Sequence, residues 1–169
     1  GDIPPRITDE YKGDFNEIKN NLNLLIKNVS MILKGMNRVS DNIRNGILND
    51  RGNQDLFQGD WKEFVIAINS VIDAFHEPLN VTAKYIDGIS KGHLPEKITQ
   101  EYKGDFNEIK NNLNTCIDAI NLLITESLTL AGAAVEGKLD TRADISKHHG
   151  DYRKIIEGVN NTLDAVLNP

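Results

Sequence analysis

A close internal repeat with a period of about 45 residues is the main feature of this 169-residue sequence. The segment from Glu10 to Asn23 recurs letter for letter from Glu101 to Asn114. Gly-Asp-aromatic triplets begin at residues 13, 59, 104 and 150, and an Asn stands ten residues after each of these glycines. A fixed period in this range indicates an array of one structural module rather than a single compact domain.

The composition excludes several classes of function. The formal net charge is −6, and no segment gathers Lys and Arg as phosphate binding requires, which argues against a nucleic-acid partner. A single Cys116 excludes an internal disulfide and favours a reducing compartment. Without a run of eighteen apolar residues or a signal-peptide pattern, we expect a cytoplasmic segment that does not itself insert into a membrane. Because the sequence begins within a repeat, we expect it to come from a longer parent protein, either membrane-anchored or free of the membrane.

Apolar periodicity predicts four helices. They run from Asp14 to about Asn45, from Asp60 to about Lys91, from Asp105 to about Glu136 and from Asp151 to about Leu167. In the first helix, apolar residues alternate three- and four-residue steps from Phe15 to Ile43, which is the heptad seam of a coiled coil or bundle. Pro78 interrupts the second helix, and we expect it to mark the joint between two modules.

Residues at the helix ends predict how each helix starts and stops. The predicted C-caps are Gly46, Gly92 and Gly137. The predicted N-caps are Asp14, Asp60, Asp105 and Asp151. In the first three copies a Glu follows three residues later, which completes a capping box.

The connectors predict the topology. From each helix-ending glycine to the next helix-starting glycine the chain advances by 13, 12 and 13 positions, whereas an antiparallel hairpin needs only about 2–8 residues. A dozen extended residues reach roughly 40 Å, enough to return along a half-helix of about 24 Å. Each long helix is therefore expected to serve two modules. Since two parallel helices cannot bury a two-sided seam, we predict an all-α fold of stacked parallel four-helix coiled-coil bundles formed by a homodimer.

A Gly-x-Leu helix end, a dozen-residue connector and a second helix that opens with an acid and ends in Asn resemble the HAMP domain. The clearest copy runs from His76 to Asn121, with Gly92-x-Leu94 and Gly104-Asp105. The repetition is similar to the poly-HAMP arrays of methyl-accepting chemotaxis proteins. The predicted units are a half unit at 1–26 (connector and second helix), followed by full units at 27–75, 76–121 and 122–169. One departure is that Gly-Asp-Phe-Asn replaces the family's Asp-Glu-x-Gly.

The resemblance implies a relay that passes conformational change between input and output domains of a chemoreceptor-type parent. Units one and three match at an offset of 91 and have short connectors with proline, whereas units two and four have longer connectors without it. We therefore expect packing to alternate along the array. Two other interpretations stay open, which are a passive coiled-coil spacer and a helical-bundle ligand sensor around Trp61, Phe64 and Phe75.

The sequence predicts structural and signalling residues but no catalytic, cofactor or metal site. Those residues are Gly13, Asp14, Gly46, Gly59, Asp60, Pro78, Gly92, Leu94, Ile98, Gly104, Asp105, Gly137, Leu139, Gly150 and Asp151. The His148-His149 pair lacks a third or fourth ligand nearby, so a metal site is not predicted there. The four repeated asparagines either set register in the bundle or are polar residues beside the seam. The predicted partners are a second, parallel copy and the flanking domains of the parent chain.

Overall fold

A computed structural model describes residues 2–167. Within these residues all regular structure is helical. The helices are α1 (Asp14–Arg44), α2 (Asp60–Ser90), α3 (Gly104–Val135) and α4 (Gly150–Leu167), with 3₁₀ turns at Gln54–Leu56 and Ile145–Lys147. The all-α prediction is confirmed, and the predicted helix bounds agree with the observed ones to within one residue.

The chain divides into two compact bodies, and the division falls at a position within α2. The N-terminal body ends at Leu79 and the C-terminal body begins at Asn80. The division lies one residue beyond Pro78, which is buried inside α2, and the helix continues on both sides of it. The finer division into units that end at residues 26, 75 and 121 stays a prediction.

The core of the N-terminal body joins α1, the connector and α2. Its buried residues are Ile32, Phe57 and Val65, and Met31, Met36 and Trp61 pack against them. Burial of one such aliphatic or aromatic side chain contributes about 1.5–3 kcal/mol. The connector is therefore an integral part of the packing rather than a loose loop.

Within this body the connector runs back along α1, as the sequence predicts. A Cβ added to Gly52 would lie near Met36 of α1 and Val65 of α2, whereas the later Phe57 packs in the core with Ile32. The chain thus moves one turn back along α1 between Gly52 and Phe57. Helix α2 then starts beside Ile32 and runs in the same direction as α1.

The predicted glycine ends of the helices are confirmed. Gly46, Gly92 and Gly137 have φ between 77° and 79°, a region that glycine enters without strain. After α1, Ile47 donates its N–H to the carbonyl of Asn42 at 2.8 Å, and Gly46 donates to Ile43 at 3.0 Å. This pair of bonds is the Schellman motif, and the same pair follows α2 and α3.

The predicted capping boxes are wrong for α1 and α3. The N-caps are Gly13 and Lys103, and neither forms a side-chain cap hydrogen bond. Gly13, at φ 55°, instead points its carbonyl at the N–H groups of Asn16 and Glu17. Asp14 is therefore the first helical residue rather than the N-cap. Its negative charge interacts favourably there with the positive end of the helix dipole.

Much of the apolar surface of the helices, including part of the seam predicted for the first helix, is exposed in a single chain. Phe15 is 71% exposed, Leu128 is 68% exposed and Val135 is 89% exposed. Helix α3 is long and apolar enough to cross a membrane, judged by length and composition alone. It also buries Ile117 and Leu130 in the C-terminal body, so part of this apolar surface serves protein packing.

Candidate functional site

The four repeated asparagines hold the connectors to the helices. Each side-chain amide accepts a hydrogen bond from the backbone N–H of one connector residue and donates one to its carbonyl. The pairs, with their two distances, are Asn23 with Ile7 (2.8 and 2.9 Å), Asn69 with Gly52 (2.8 and 2.9 Å), Asn114 with Ile98 (2.8 and 3.0 Å) and Asn160 with Ala143 (3.1 and 3.0 Å). We call these contacts the asparagine clamps.

The clamps give the asparagines a role that the sequence did not predict. An amide side chain has one acceptor and two donors, so it pairs with a peptide group as a neighbouring strand would. The clamped peptide groups lie in part-buried surroundings, where an unpaired N–H or C=O costs about 1–3 kcal/mol. The amides therefore contact the connector of their own repeat. The sequence analysis offered two other roles for these asparagines, register-setting in the bundle and a polar position beside the seam, and neither of them describes this contact.

Ion pairs reinforce the clamp in three of the four repeats. The residue before the clamped residue is basic, and the residue four positions after the Asn is acidic. In repeat two, Arg51 Nε and Nη2 lie 2.8 and 2.6 Å from Asp73 Oδ1. Arg51 Nη1 also donates to the carbonyls of Leu48 and Asp50, both at 2.7 Å. Arg142 with Asp164 in repeat four repeats this arrangement, and Lys97 with Asp118 supplies a simpler pair at 2.7 Å in repeat three.

Repeat one lacks this attraction. At the corresponding positions it has Arg6 and Lys27, both basic and both exposed. The connector of repeat one is therefore clamped by Asn23 without the ion pair that the other three repeats have.

The connectors are of two structural types. Those of repeats two and four contain the 3₁₀ turns, which begin where the side chain of Asn53 or Asp144 accepts a hydrogen bond from the N–H two residues on, at 3.0 Å in each case. Bonds from the hydroxyl and backbone N–H of Ser146 hold the pKa of Asp144 below its ordinary value. The connectors of repeats one and three contain no 3₁₀ turn within residues 2–167, and their clamped residue is an isoleucine.

The same alternation appears in the packing beneath the connectors. Six residues after the helix-starting glycine, repeats two and four have Val65 and Ile156, which are 2% and 0% exposed. Repeats one and three have Lys19 and Lys110 at this position. Lys19 Nζ lies 5.9 Å from the ring centre of Tyr11, a cation–π contact, and donates to the carbonyl of Asp9. The two repeat types therefore have different interiors.

Apart from the helix-ending glycines and Pro78, described above, the predicted site residues fall into three groups. Gly13, Gly59, Gly104 and Gly150 share a φ of 54–56° where the chain turns into a helix. Ile98 is 7% exposed, and Leu94 and Leu139 are half-buried after their helix-ending glycines. The acids Asp14, Asp60, Asp105 and Asp151 all lie in the first turn of their helices.

The most deeply buried polar side chain among residues 2–167 belongs to a residue at which the sequence predicts no site. His148, 4% exposed, points its Nε2 at Glu126 Oε2 of α3 at 2.5 Å. Its neighbour His149 is exposed. The sequence signal was available, because His148 occupies the position of the buried Phe57 in the matching repeat. No group of three or more His, Cys, Asp or Glu side chains in residues 2–167 is placed to hold a metal ion.

A family model matches most of the chain. The model of the HAMP domain matches residues 1–31, 56–122 and 147–169, well over half of the chain. The chain belongs to the HAMP domain family. The matched segments of this HAMP array contain all four clamp asparagines, and they leave out most of the connectors of repeats two and four. No solved structure matches the chain.

Family membership defines the broad role of the chain. HAMP domains are signal-transduction modules of sensor proteins, they are not catalytic, and they typically lie in the cytoplasm. Several matched segments along one chain indicate a tandem array. The clamps, ion pairs and connector types described above are therefore the parts of a signalling module.

Proposed function

We propose that this HAMP array relays conformational change along a dimeric helical rod, between the sensory input and the output domains of a chemoreceptor-type protein. The parent chain supplies both flanking domains, and the array itself needs no cofactor. The proposal includes a cytoplasmic position without membrane insertion of this segment, because HAMP domains typically lie in the cytoplasm.

One observation carries this proposal, namely that a single helix belongs to two repeats. In its first half, α1 bears Asn23, which clamps Ile7 of the first connector. Nine residues later, the same helix contributes Ile32 to the core of repeat two, with Phe57 and Val65. Helix α3 is shared in the same way, through Asn114 with Ile98 and through Glu126 with His148. A rotation or shift of a shared helix therefore changes the packing of both repeats.

A second copy of the chain is the proposed partner. The exposed residues Phe15 and Leu22 stand at heptad spacing on α1, which already packs in parallel with α2 within repeat two, and Ile124 is an exposed residue of α3. Apolar stripes of this length on a water-facing surface mark an interface. A parallel homodimer would complete a four-helix bundle at each repeat and cover the stripes with identical stripes.

Two packing states are the proposed basis of switching. The isoleucine-clamped repeats with Lys19 or Lys110 alternate with the 3₁₀-containing repeats with Val65 or Ile156. A few kcal/mol between two packings is enough for a neighbouring repeat to shift the balance. The differences in connector and core support the proposal that odd and even repeats favour different states.

The two other interpretations make different predictions. A ligand sensor requires an aromatic pocket, but Trp61 packs onto the hydrophobic core, and Phe64 and Phe75 are 47% and 57% exposed along the seam. This placement favours packing over ligand binding. A passive spacer has the same helices but uncoupled repeats, so it is distinguished by coupling between repeats rather than by shape.

Sedimentation velocity of the purified chain tests the dimeric array. We expect a dimer with the frictional ratio of a rod about 100 Å long, four levels of about 24 Å each. Ile124→Lys, which places a charge in the seam, should raise the dissociation constant at least about 100-fold, because two apolar contacts are lost per dimer. Thr125→Lys, on the exposed neighbouring position, is the control and should leave the constant nearly unchanged. A compact monomer for the unmodified chain would contradict the proposal.

A further inference from the structure

In repeat two, the clamped Gly52 and the helix residue Val65 leave room for only one branched side chain between them. A Cβ added to Gly52 would lie 2.9 Å from Cγ1 of Val65, closer than van der Waals contact allows. Val65 stands four residues before the clamp residue Asn69, so the two side chains lie on the same face of α2. The φ of Gly52 is not positive, so this position requires a small side chain rather than the backbone freedom of glycine.

The same two positions are filled in opposite ways in the two repeat types. In repeats one and three the connector supplies a branched apolar side chain and the helix supplies a lysine. In repeats two and four the helix supplies the branched side chain, and the connector residue has only a hydrogen or a methyl group. The branched residues Ile98, Val65 and Ile156 are 7%, 2% and 0% exposed, so one buried branched side chain accompanies each of these three clamps. The pairs of clamped residue and helix residue are Ile7 with Lys19, Gly52 with Val65, Ile98 with Lys110 and Ala143 with Ile156.

We propose that this pair of positions decides which connector each helix accepts, because the space beside a clamp holds one branched apolar side chain. A connector with isoleucine at the clamped position closes on a helix with lysine. A connector with glycine or alanine closes on a helix with valine or isoleucine. The pair thereby keeps the connectors of the two repeat types on their own helices. It does so whether or not the array relays a signal, so the inference goes beyond the proposed function.

The clamp alone does not distinguish one connector from another. The asparagine bonds only a backbone N–H and carbonyl, which every residue except proline offers. Chains of similar repeats are prone to wrong pairing, so a second criterion is needed. An isoleucine connector on a valine helix would place two branched side chains in the space for one, which overpacks the contact. A lysine avoids this clash because its long stem carries the ammonium group away, as Lys19 Nζ shows by lying 5.9 Å from the ring centre of Tyr11 and donating to the carbonyl of Asp9.

Thermal unfolding of variants in repeat two tests the inference. Gly52→Ile puts the connector residue of repeats one and three beside Val65, and we expect it to lower Tm by about 5 °C. In the Val65→Ala and Val65→Lys backgrounds the same substitution should raise Tm, because the isoleucine then fills the space that the valine left. Failure to raise Tm in either background overturns the proposal. Where a single variant does not fold, recovery of the helical circular-dichroism signal in its double variant supports the proposal, and continued unfolding overturns it.

Hydrogen exchange and a matched glycine separate the inference from a general loss of stability. Gly52 donates its N–H to Asn69 Oδ1 at 2.8 Å, so exchange of this amide reports closure of the clamp. In Gly52→Ile the protection at residue 52 should fall about ten-fold more than that of the core of α1, and the difference should vanish in the double variants. A uniform fall overturns the proposal. Gly35→Ala, where an added Cβ has open space, is the control and should change Tm equally with and without Val65→Ala. Equal dependence of the two glycine substitutions on Val65 also overturns it.

Discussion

Asn114 holds both backbone groups of Ile98, sixteen residues earlier in the chain. The amide oxygen accepts from the N–H at 2.8 Å, and the amide nitrogen donates to the carbonyl at 3.0 Å. Ile98 itself is 7% exposed, so the contact fixes the connector where its side chain enters the packing. The same geometry in all four repeats makes the clamp the most regular contact of the array.

Removal of one clamp should cost measurable stability. Asn114→Ala deletes two hydrogen bonds and leaves the N–H and carbonyl of Ile98 part-buried without their partner. We expect the free energy of unfolding to fall by about 2 kcal/mol in urea denaturation. Asn112→Ala, an exposed position on the same helix, is the control and should stay within about 0.5 kcal/mol. Equal effects of the two substitutions would show that the clamp does not stabilise the fold.

A substitution in repeat one should stabilise the chain. Lys27→Asp places a carboxylate where repeats two, three and four have Asp73, Asp118 and Asp164, and it faces Arg6 in place of a like charge. Because both positions are exposed, we expect a gain of no more than about 1 kcal/mol, reduced by salt. Thermal unfolding at low and high ionic strength measures it. Lys27→Asn separates the removal of repulsion from the gain of attraction, and a gain that is equal for the two variants would exclude the ion pair.

Two glycines near the end of α3 should respond in opposite directions to alanine. Gly137 has a φ of 78°, so Gly137→Ala forces a left-handed backbone and should destabilise by about 1 kcal/mol. Gly132 lies inside the helix with open space where an alanine Cβ would stand, so Gly132→Ala should stabilise by about 0.5–1 kcal/mol. Urea denaturation of the two variants provides the comparison. A destabilised Gly132→Ala would place that face of α3 in a close contact.

The acid side of the stability profile should depend on Asp144. Hydrogen bonds from the side chain and then the backbone of Ser146 lower the pKa of Asp144 from its ordinary 3.8. A lowered folded pKa means that the stabilisation is complete at neutral pH and is lost as the pH falls below about 3.8. A carboxyl NMR titration should therefore give a midpoint below 3.8 that rises in Ser146→Ala. Asp144→Asn mimics Asn53 of repeat two and should remove this pH dependence while it keeps the turn.

The sequence predicted the helices well because their signals are local. The heptad seam, the helix-ending glycines and the dozen-residue connectors each depend on residues close in the chain, and the observed bounds agree to within one residue. The capping boxes failed for a local reason as well. A glycine at φ 55° starts the helix with its own carbonyl, and nothing in the Asp-x-x-Glu pattern reveals that backbone angle.

The clamps and the buried histidine were missed because they depend on contacts across the connector. Asn69 is 17 residues from its partner Gly52, and the repetition of the Asn marks a position in the sequence without indicating which residue it contacts. Alignment of the repeats with one another would have identified the histidine. His148 aligns with Phe57, so the sequence itself shows a polar residue at a core position. Its partner Glu126, in contrast, could be identified only from the structure. Glu126 stands where the matching repeat has a glycine, and no sequence pattern around it indicates a contact with His148.

The central claim is that a shared helix couples neighbouring repeats, and hydrogen exchange of the Asn114→Ala dimer tests it most directly. The substitution lies in repeat three, and the measurement compares protection there with protection of the connector at 138–149 in repeat four. We predict that protection falls around Ile98 and also changes at residues 138–149, with no change in Asn112→Ala. A change confined to the connector of repeat three would mean that the repeats are independent, and the chain would then be a passive spacer.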